Sequence, residues 1–175
     1  MKKLVVSEIS IIYGTVDSPK GFEIDRKKIK NDIINSSVTN QKFNNSDYKV
    51  PFSQPLQWFQ DYIRDFFKSE HNQTLIPKLN FAYLLNEGQT SINRNTVDLV
   101  DLKNSPDYTL LYGVDIEDKI DVTIEYNDNR RANRSWTIPL QNNKFIIFPS
   151  MQRFFISENK SKKIQTILLT TYEYI

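Results

Sequence analysis

The chain has 175 residues, 39% of them hydrophobic and 13% aromatic, which is enough apolar material to bury one domain core and to exclude wholesale disorder. Its 23 basic and 21 acidic residues leave a net charge of +2, too balanced for nucleic-acid binding driven by charge. Cysteine is absent, which removes disulfides, thiol nucleophiles and thiolate zinc sites.

At the N-terminus Glu8 interrupts any apolar stretch of leader length, and no run approaches the ~20 apolar residues of a membrane helix. A soluble protein made in a cytoplasm is expected. Residues 3–13 are apolar and β-branched (Leu4, Val5, Val6, Ile9, Ile11, Ile12, Tyr13) and predict a first strand. Ile29 and Ile33, with Ile34, stripe a short helix over 25–35 that Asp25 is placed to cap. The polar, Asn-rich residues 36–52 predict a loop. A second helix is expected over 54–70, with Ser53 as cap and Pro55 in the first turn. Its Leu56, Phe59, Ile63, Phe66 and Phe67 recur at helical spacing and mark a core face.

Beyond residue 75 the period becomes two. Strands are expected at 76–86, 94–102, 107–116, 119–126, 134–140, 143–149, 152–157 and 163–173. Ile120, Val122, Ile124 and Tyr126 alternate, as do Trp136, Ile138 and Leu140. The polar run 127–133 between them predicts a hairpin turn. Helices early and strands late imply an α+β, mostly β fold in a single domain over 1–175. An N-terminal strand and one or two helices (1–75) pack on a jelly roll (76–175).

Residues 142–150 read Asn-Asn-Lys-Phe-Ile-Ile-Phe-Pro-Ser, an apolar strand ending in Phe-Pro-Ser and followed by two further strands. This order resembles the closing half of the 2-oxoglutarate/iron(II) oxygenases, above all the prolyl-hydroxylase-like members of tailed-phage genomes. Asp107 through Val114 is similar to the strand that follows the family's His-x-Asp segment. The resemblance covers residues 76–175 and implies a double-stranded β-helix. It also implies iron held by His-x-Asp and by a distal His about four residues past the Ser, with a basic co-substrate anchor about ten residues later.

This sequence departs from the pattern at the ligands. Phe154 stands where the distal His is expected. The segment before Asp107 offers Asn93 and Asn95 at the former ligand positions, then Asp98 and Asp101, and no imidazole. Lys162 and Lys163 stand near the expected co-substrate anchor as its remnant. The single histidine, His71, ends the second predicted helix. A ferrous site needs nitrogen donors and a carboxylate on one face with open positions. The expectation is therefore a retained fold with no catalytic residues, no metal and no cofactor.

Other candidates each carry a plainer reading. His71 at a helix C-terminus more often meets the terminal carbonyls than a metal. Asp98, Asp101, Asp115, Glu117, Asp118 and Asp121 form an acidic stretch that fits no calcium loop and reads as a solvated rim. Arg130, Arg131 and Arg134 crowd one turn and read equally as a partner contact or a solubilising hairpin tip. Phe145, Phe148, Phe154, Phe155, Tyr172 and Tyr174 are half core by strand alternation, and adjacent Phe154 and Phe155 must face opposite ways.

The expected function is a non-enzymatic structural or adaptor protein: a tailed-phage virion component of head, neck or tail, made in the host cytoplasm. Its partners would be other protein subunits, in a homo- or hetero-oligomeric assembly, with no nucleic acid and no membrane. Segments 36–50 and 127–134 are the expected contacts. The N-terminal strand is a candidate for pairing at a sheet edge, within the chain or on a neighbour. The alternatives are an active dioxygenase with atypical ligands such as Asp98 and Asp101, or a glycan- or peptide-binding module using the concave sheet.

Overall fold

A computed structural model describes residues 10–17, 23–39, 48–129 and 132–175. The elements run β1 (Ile12–Thr15), α1 (Arg26–Thr39), β2 (Tyr48–Lys49), α2 (Gln54–His71), β3 (Leu75–Leu85) and a 3-10 turn (Leu102–Asn104). They continue with β4 (Tyr108–Asp115), β5 (Ile120–Asn129), β6 (Ala132–Leu140), β7 (Lys144–Pro149), β8 (Arg153–Ile156) and β9 (Gln165–Tyr174).

The strands form two antiparallel sheets, ordered β1-β7-β4-β9-β3-β2 and β6-β5-β8. Both helices cover one face of the larger sheet, and the smaller sheet covers the other. Leu56, Phe59, Ile63 and Phe67 of α2 and Ile29 and Ile33 of α1 pack with Leu110, Tyr112, Phe145, Leu168 and Tyr172. On the opposite face Leu111, Ile146, Phe148 and Leu169 meet Val122, Ile124, Phe154 and Ile156. Strands buried on both faces read as continuous apolar runs (Leu110-Leu111-Tyr112, Ile167-Leu168-Leu169), whereas β5, with one solvated face, keeps a clean alternation. This is the expected α+β jelly roll with helices packed on it. The N-terminal region enters the large sheet itself, β1 along one edge and β2 along the other.

Local chemistry explains the element ends. Asp25 accepts from the Lys28 amide at 2.9 Å and starts α1. That helix runs on to Thr39, beyond the expected end, because Ser37 is buried and Ser36 ties the helix to the Lys49 carbonyl. The loop expected over 36–52 is thereby corrected at both ends, and residues 40–47 lie outside the described residues. Ser53 makes no side-chain cap, so Pro55 in the first turn and the buried apolar stripe define the start of α2. The helix closes on Asn72, which is left-handed (φ 52) and donates its amide to the Phe67 carbonyl.

Gly113 carries a requirement of its own. A Cβ there would lie 2.0 Å from the Gln141 carbonyl oxygen, so only glycine lets the β6–β7 turn rest on β4. Asn143, also left-handed (φ 62), accepts from the Tyr112 hydroxyl at 2.8 Å and donates to the Val16 carbonyl at 2.9 Å. One turn residue thus joins β1, β4 and β7.

Candidate functional site

The site implied by the Phe-Pro-Ser segment lies between the two sheets, at β8. Phe154 pairs across β5 with Ile124 and has no solvent exposure. Its ring meets Phe148 edge-on, with centroids 5.3 Å apart. Phe155 turns the other way and is half-buried. The Ser150 hydroxyl is buried and bonds Thr109 Oγ1 at 2.9 Å, and Thr109 in turn bonds Thr96 Oγ1 at 2.5 Å. The serine of the motif is therefore a tie holding the β7–β8 turn to β4 and to the segment around residue 96.

That segment replaces the strand expected over 94–102. Residues 91–96 run beside β8 through bonds from the Ser91 amide to the Ile156 carbonyl and from the Thr96 amide to the Ser150 carbonyl. Arg94 and Phe154 exchange both backbone bonds, at 3.1 and 2.8 Å, in one isolated bridge. Such a directly opposed pair projects its side chains to one face. Arg94 therefore shares the inner face with Phe154, and its Nε donates to the Tyr83 hydroxyl at 3.1 Å. The guanidinium also lies 5.6 Å from the Tyr83 ring centroid. Asn93 alternates to the outer face, where its amide donates to Glu125. Asn95 is half-buried. Arg94 and Tyr83 were not singled out from sequence, because which of residues 93–95 faces inward is set by the register with β8.

The remaining candidates are dispersed. His71 ends α2, exposed, with its ring 5.1 Å from that of Phe67, and the large sheet separates it from the inter-sheet space. Lys162 and Lys163 precede β9 on an exposed stretch. The Lys163 ammonium reaches Glu117 at 2.7 Å rather than the cleft. That ammonium and the Ser161 hydroxyl hold the Glu117 carboxyl below its usual range, and Glu117 in turn raises the lysine. Asp98 and Asp101 accept from their own loop, at the Val100 amide and at Asn104. Asp115 pairs with Lys30 at 2.5 Å. Asp118 and Asp121 flank the turn into β5, where the Asp121 amide bonds Ser157. No group of three or more His, Asp or Glu side chains converges among the described residues. Phe145 and Tyr172 are buried in the helix-side core, and Tyr174 is exposed. Arg130 and Arg131 lie outside the described residues; Arg134 is exposed on β6, opposite Tyr126.

The donor set does not fit a ferrous centre of two imidazoles and a carboxylate. One histidine exists in the chain, and it stands on the wrong side of the large sheet. At the bridge between residue 94 and β8 the structure places a phenyl ring and a fixed positive charge, neither of which donates to a cation.

Outward from Phe154 the two sheets part into a cleft of ≈ 590 Å³. Tyr13 of β1 pairs with Ile146 and therefore faces inward from the large sheet. Tyr126, Trp136 and Arg134 face it from β5 and β6, Trp136 being paired with the inward Ile124. Gln152 closes the end next to β8.

No protein-family model and no curated protein sequence matches the chain. Solved structures do. A Pseudomonas putida prolyl-4-hydroxylase aligns with a TM-score of 0.63 and 7% identity over 93% of this chain and 91% of its own. AviO1 from Streptomyces viridochromogenes Tue57 aligns at 0.63 and 9% identity, over 94% and 90% respectively. A 2OG-Fe(II) oxygenase family oxidoreductase from Burkholderia pseudomallei aligns at 0.53 and 10% identity over 68% of this chain, which spans 56% of that protein's length. At these identities the similarity is one of fold: the chain is built on the jelly roll of the 2-oxoglutarate/iron(II) oxygenases.

Proposed function

We propose that this protein acts through its surfaces, as a non-enzymatic structural or adaptor protein on an oxygenase-like jelly roll. The observation that supports this is the fully buried Phe154, at the position the resemblance assigns to the distal ligand, with the Arg94 guanidinium on the same face. A ring with no exposure leaves no open coordination position there, and a fixed cation repels a second one. Other protein subunits are the proposed partners. The finer proposal, a component of a tailed-phage virion, rests on the resemblance of residues 142–150 to phage oxygenase-like proteins.

Anaerobic titration with Fe(II) and 2-oxoglutarate tests the first part. No stoichiometric iron binding and no release of succinate are expected; saturable binding with turnover would overturn the reading. Mass spectrometry of purified particles from the source tests the second, and particles free of this chain would remove it. The fold similarity itself favours a second reading, an active dioxygenase with atypical ligands, and the same titration separates the two.

A further inference from the structure

We propose that the cleft at the mouth of the sandwich is a saccharide-binding site that takes a single pyranose ring or a short glycan end between Tyr13 and Trp136. This goes beyond the scaffold reading and stands separately from it, because the cleft lies outward of Phe154 whatever happens at the ligand positions.

Three observations carry the proposal. The first is exposure. Tyr13 is 65% exposed and Trp136 42% exposed, yet both lie on the faces that the sheets turn toward each other. Large rings left wet on a concave face cost hydrophobic free energy that an apolar ligand surface recovers. The second is geometry. Tyr126 and Trp136 lie 6.1 Å apart, inclined at 49°, and form one wall of the cleft, while Tyr13 comes from the other sheet. The space of ≈ 590 Å³ falls within the range of small-molecule sites. The third is the chemistry of the lining. Tyr and Trp present apolar faces with polar edges, while Gln152 and Arg134 add donors and an acceptor at the rim. A sugar ring matches that pattern, with C–H faces that stack on aromatics and hydroxyls around its edge that exchange hydrogen bonds.

Competing ligand classes fit less well. Among the described residues the lining holds no carboxylate, so they offer nothing to a cation. Among the described residues it holds one cationic side chain and no glycine, so these residues supply neither the amide cradle nor the charge that a nucleotide's phosphates need. A proline-rich peptide also docks on aromatic grooves, and it is therefore the competitor the experiment must separate.

The test uses the full chain carrying Trp58→Phe. Trp58 lies on α2, beyond the large sheet, so Trp136 becomes the sole tryptophan reporter. The probes are the methyl glycosides of glucose, galactose, N-acetylglucosamine and glucuronic acid, with chitobiose and maltotriose. A proline-rich decapeptide is the comparison. At least one saccharide is expected to shift Trp136 fluorescence saturably, and saturation-transfer NMR on the unsubstituted chain should show ring protons of the same sugar in contact. Trp136→Ala and Tyr13→Ala, both at exposed positions, should weaken that sugar at least tenfold in the NMR titration with the thermal melt unchanged. A panel in which no saccharide binds overturns the proposal. So does saccharide binding that survives both substitutions, or a response to the peptide alone. The iron titration has no bearing on any of these outcomes.

Discussion

Replacing Phe154 by Ala asks whether the ring that follows the Phe-Pro-Ser turn is a core element or a plug in a cleft. The side chain has no exposure, and it packs among Ile124, Phe148, Ile156 and Leu169 in the layer between the sheets. Truncating a buried Phe costs about 3–5 kcal/mol, and the edge-on partner Phe148 places this site toward the upper end. A loss of about 4–5 kcal/mol corresponds to roughly 8–20 °C in Tm for a chain of this size. It is also a large share of a typical total of about 5–15 kcal/mol. Phe154→Leu keeps most of the volume and should lose about 1–2 kcal/mol, giving a graded series. Urea unfolding followed by circular dichroism measures both, with an unchanged m-value confirming that the native state is still the one being unfolded. If Phe154→Ala loses less than about 1 kcal/mol, the space is not close-packed and the case for a filled site fails.

Three further outcomes follow from the geometry. Gly113→Ala forces Cβ against the Gln141 carbonyl and Ile116, so β4 must move; a loss above about 3 kcal/mol or failure to express folded protein is expected, read by soluble yield and melting temperature. Ser150→Ala removes the bond to Thr109 inside the turn and should cost about 1–2 kcal/mol in urea unfolding. The Glu117–Lys163 pair should titrate in opposite senses: its contribution is whole above the ordinary carboxylate value of 4.5 and fades as pH falls through the lowered Glu117 value. At the other end it is whole below the ordinary ammonium value of 10.5 and fades as pH rises through the raised Lys163 value. Carboxyl NMR titration of Lys163→Ala should return Glu117 toward 4.5, with no detectable change in melting temperature at neutral pH because the pair is solvated.

Much of the architecture was legible because burial in a layered fold imprints its own period. The stripe Leu56, Phe59, Ile63, Phe67 could only be a helix face, and Ile120, Val122, Ile124 could only be one side of a half-solvated strand. What escaped was set by tertiary contact. β2 is two residues long and exists because Tyr48 and Lys49 meet Ala82 and Phe81, which no local pattern announces. The stretch 94–102 carries Val97, Leu99 and Val100 and reads as a strand, yet Leu99 is 71% and Val100 96% exposed, and the ladder beside β8 ends before them. At the candidate site, Phe154 could be found from the Phe-Pro-Ser segment. The inward partner could not, because facing depends on register: a shift of one residue exchanges Asn93 and Asn95 for Arg94.

The two functional readings differ in what the inner face of β8 is for. An oxygenase needs polar, partly hydrated donors there, a local conflict with the apolar layer that the iron must offset. A scaffold has no such conflict, and a phenyl ring at that position adds to the packing of both sheets. Here the inter-sheet layer runs from Leu111 through Phe148 to Phe154, bordered by the buried Thr109–Ser150 hydroxyl pair beside Phe148 and by the Arg94–Tyr83 contact. Consistency between sequence and burial extends right up to the positions where a metal enzyme would violate it. The aromatic cleft outside that contact is one place where the consistency lapses, since Tyr13 and Trp136 remain wet on the faces the two sheets turn toward each other. Rings left exposed on facing sheets have free energy to gain from a ligand that covers them.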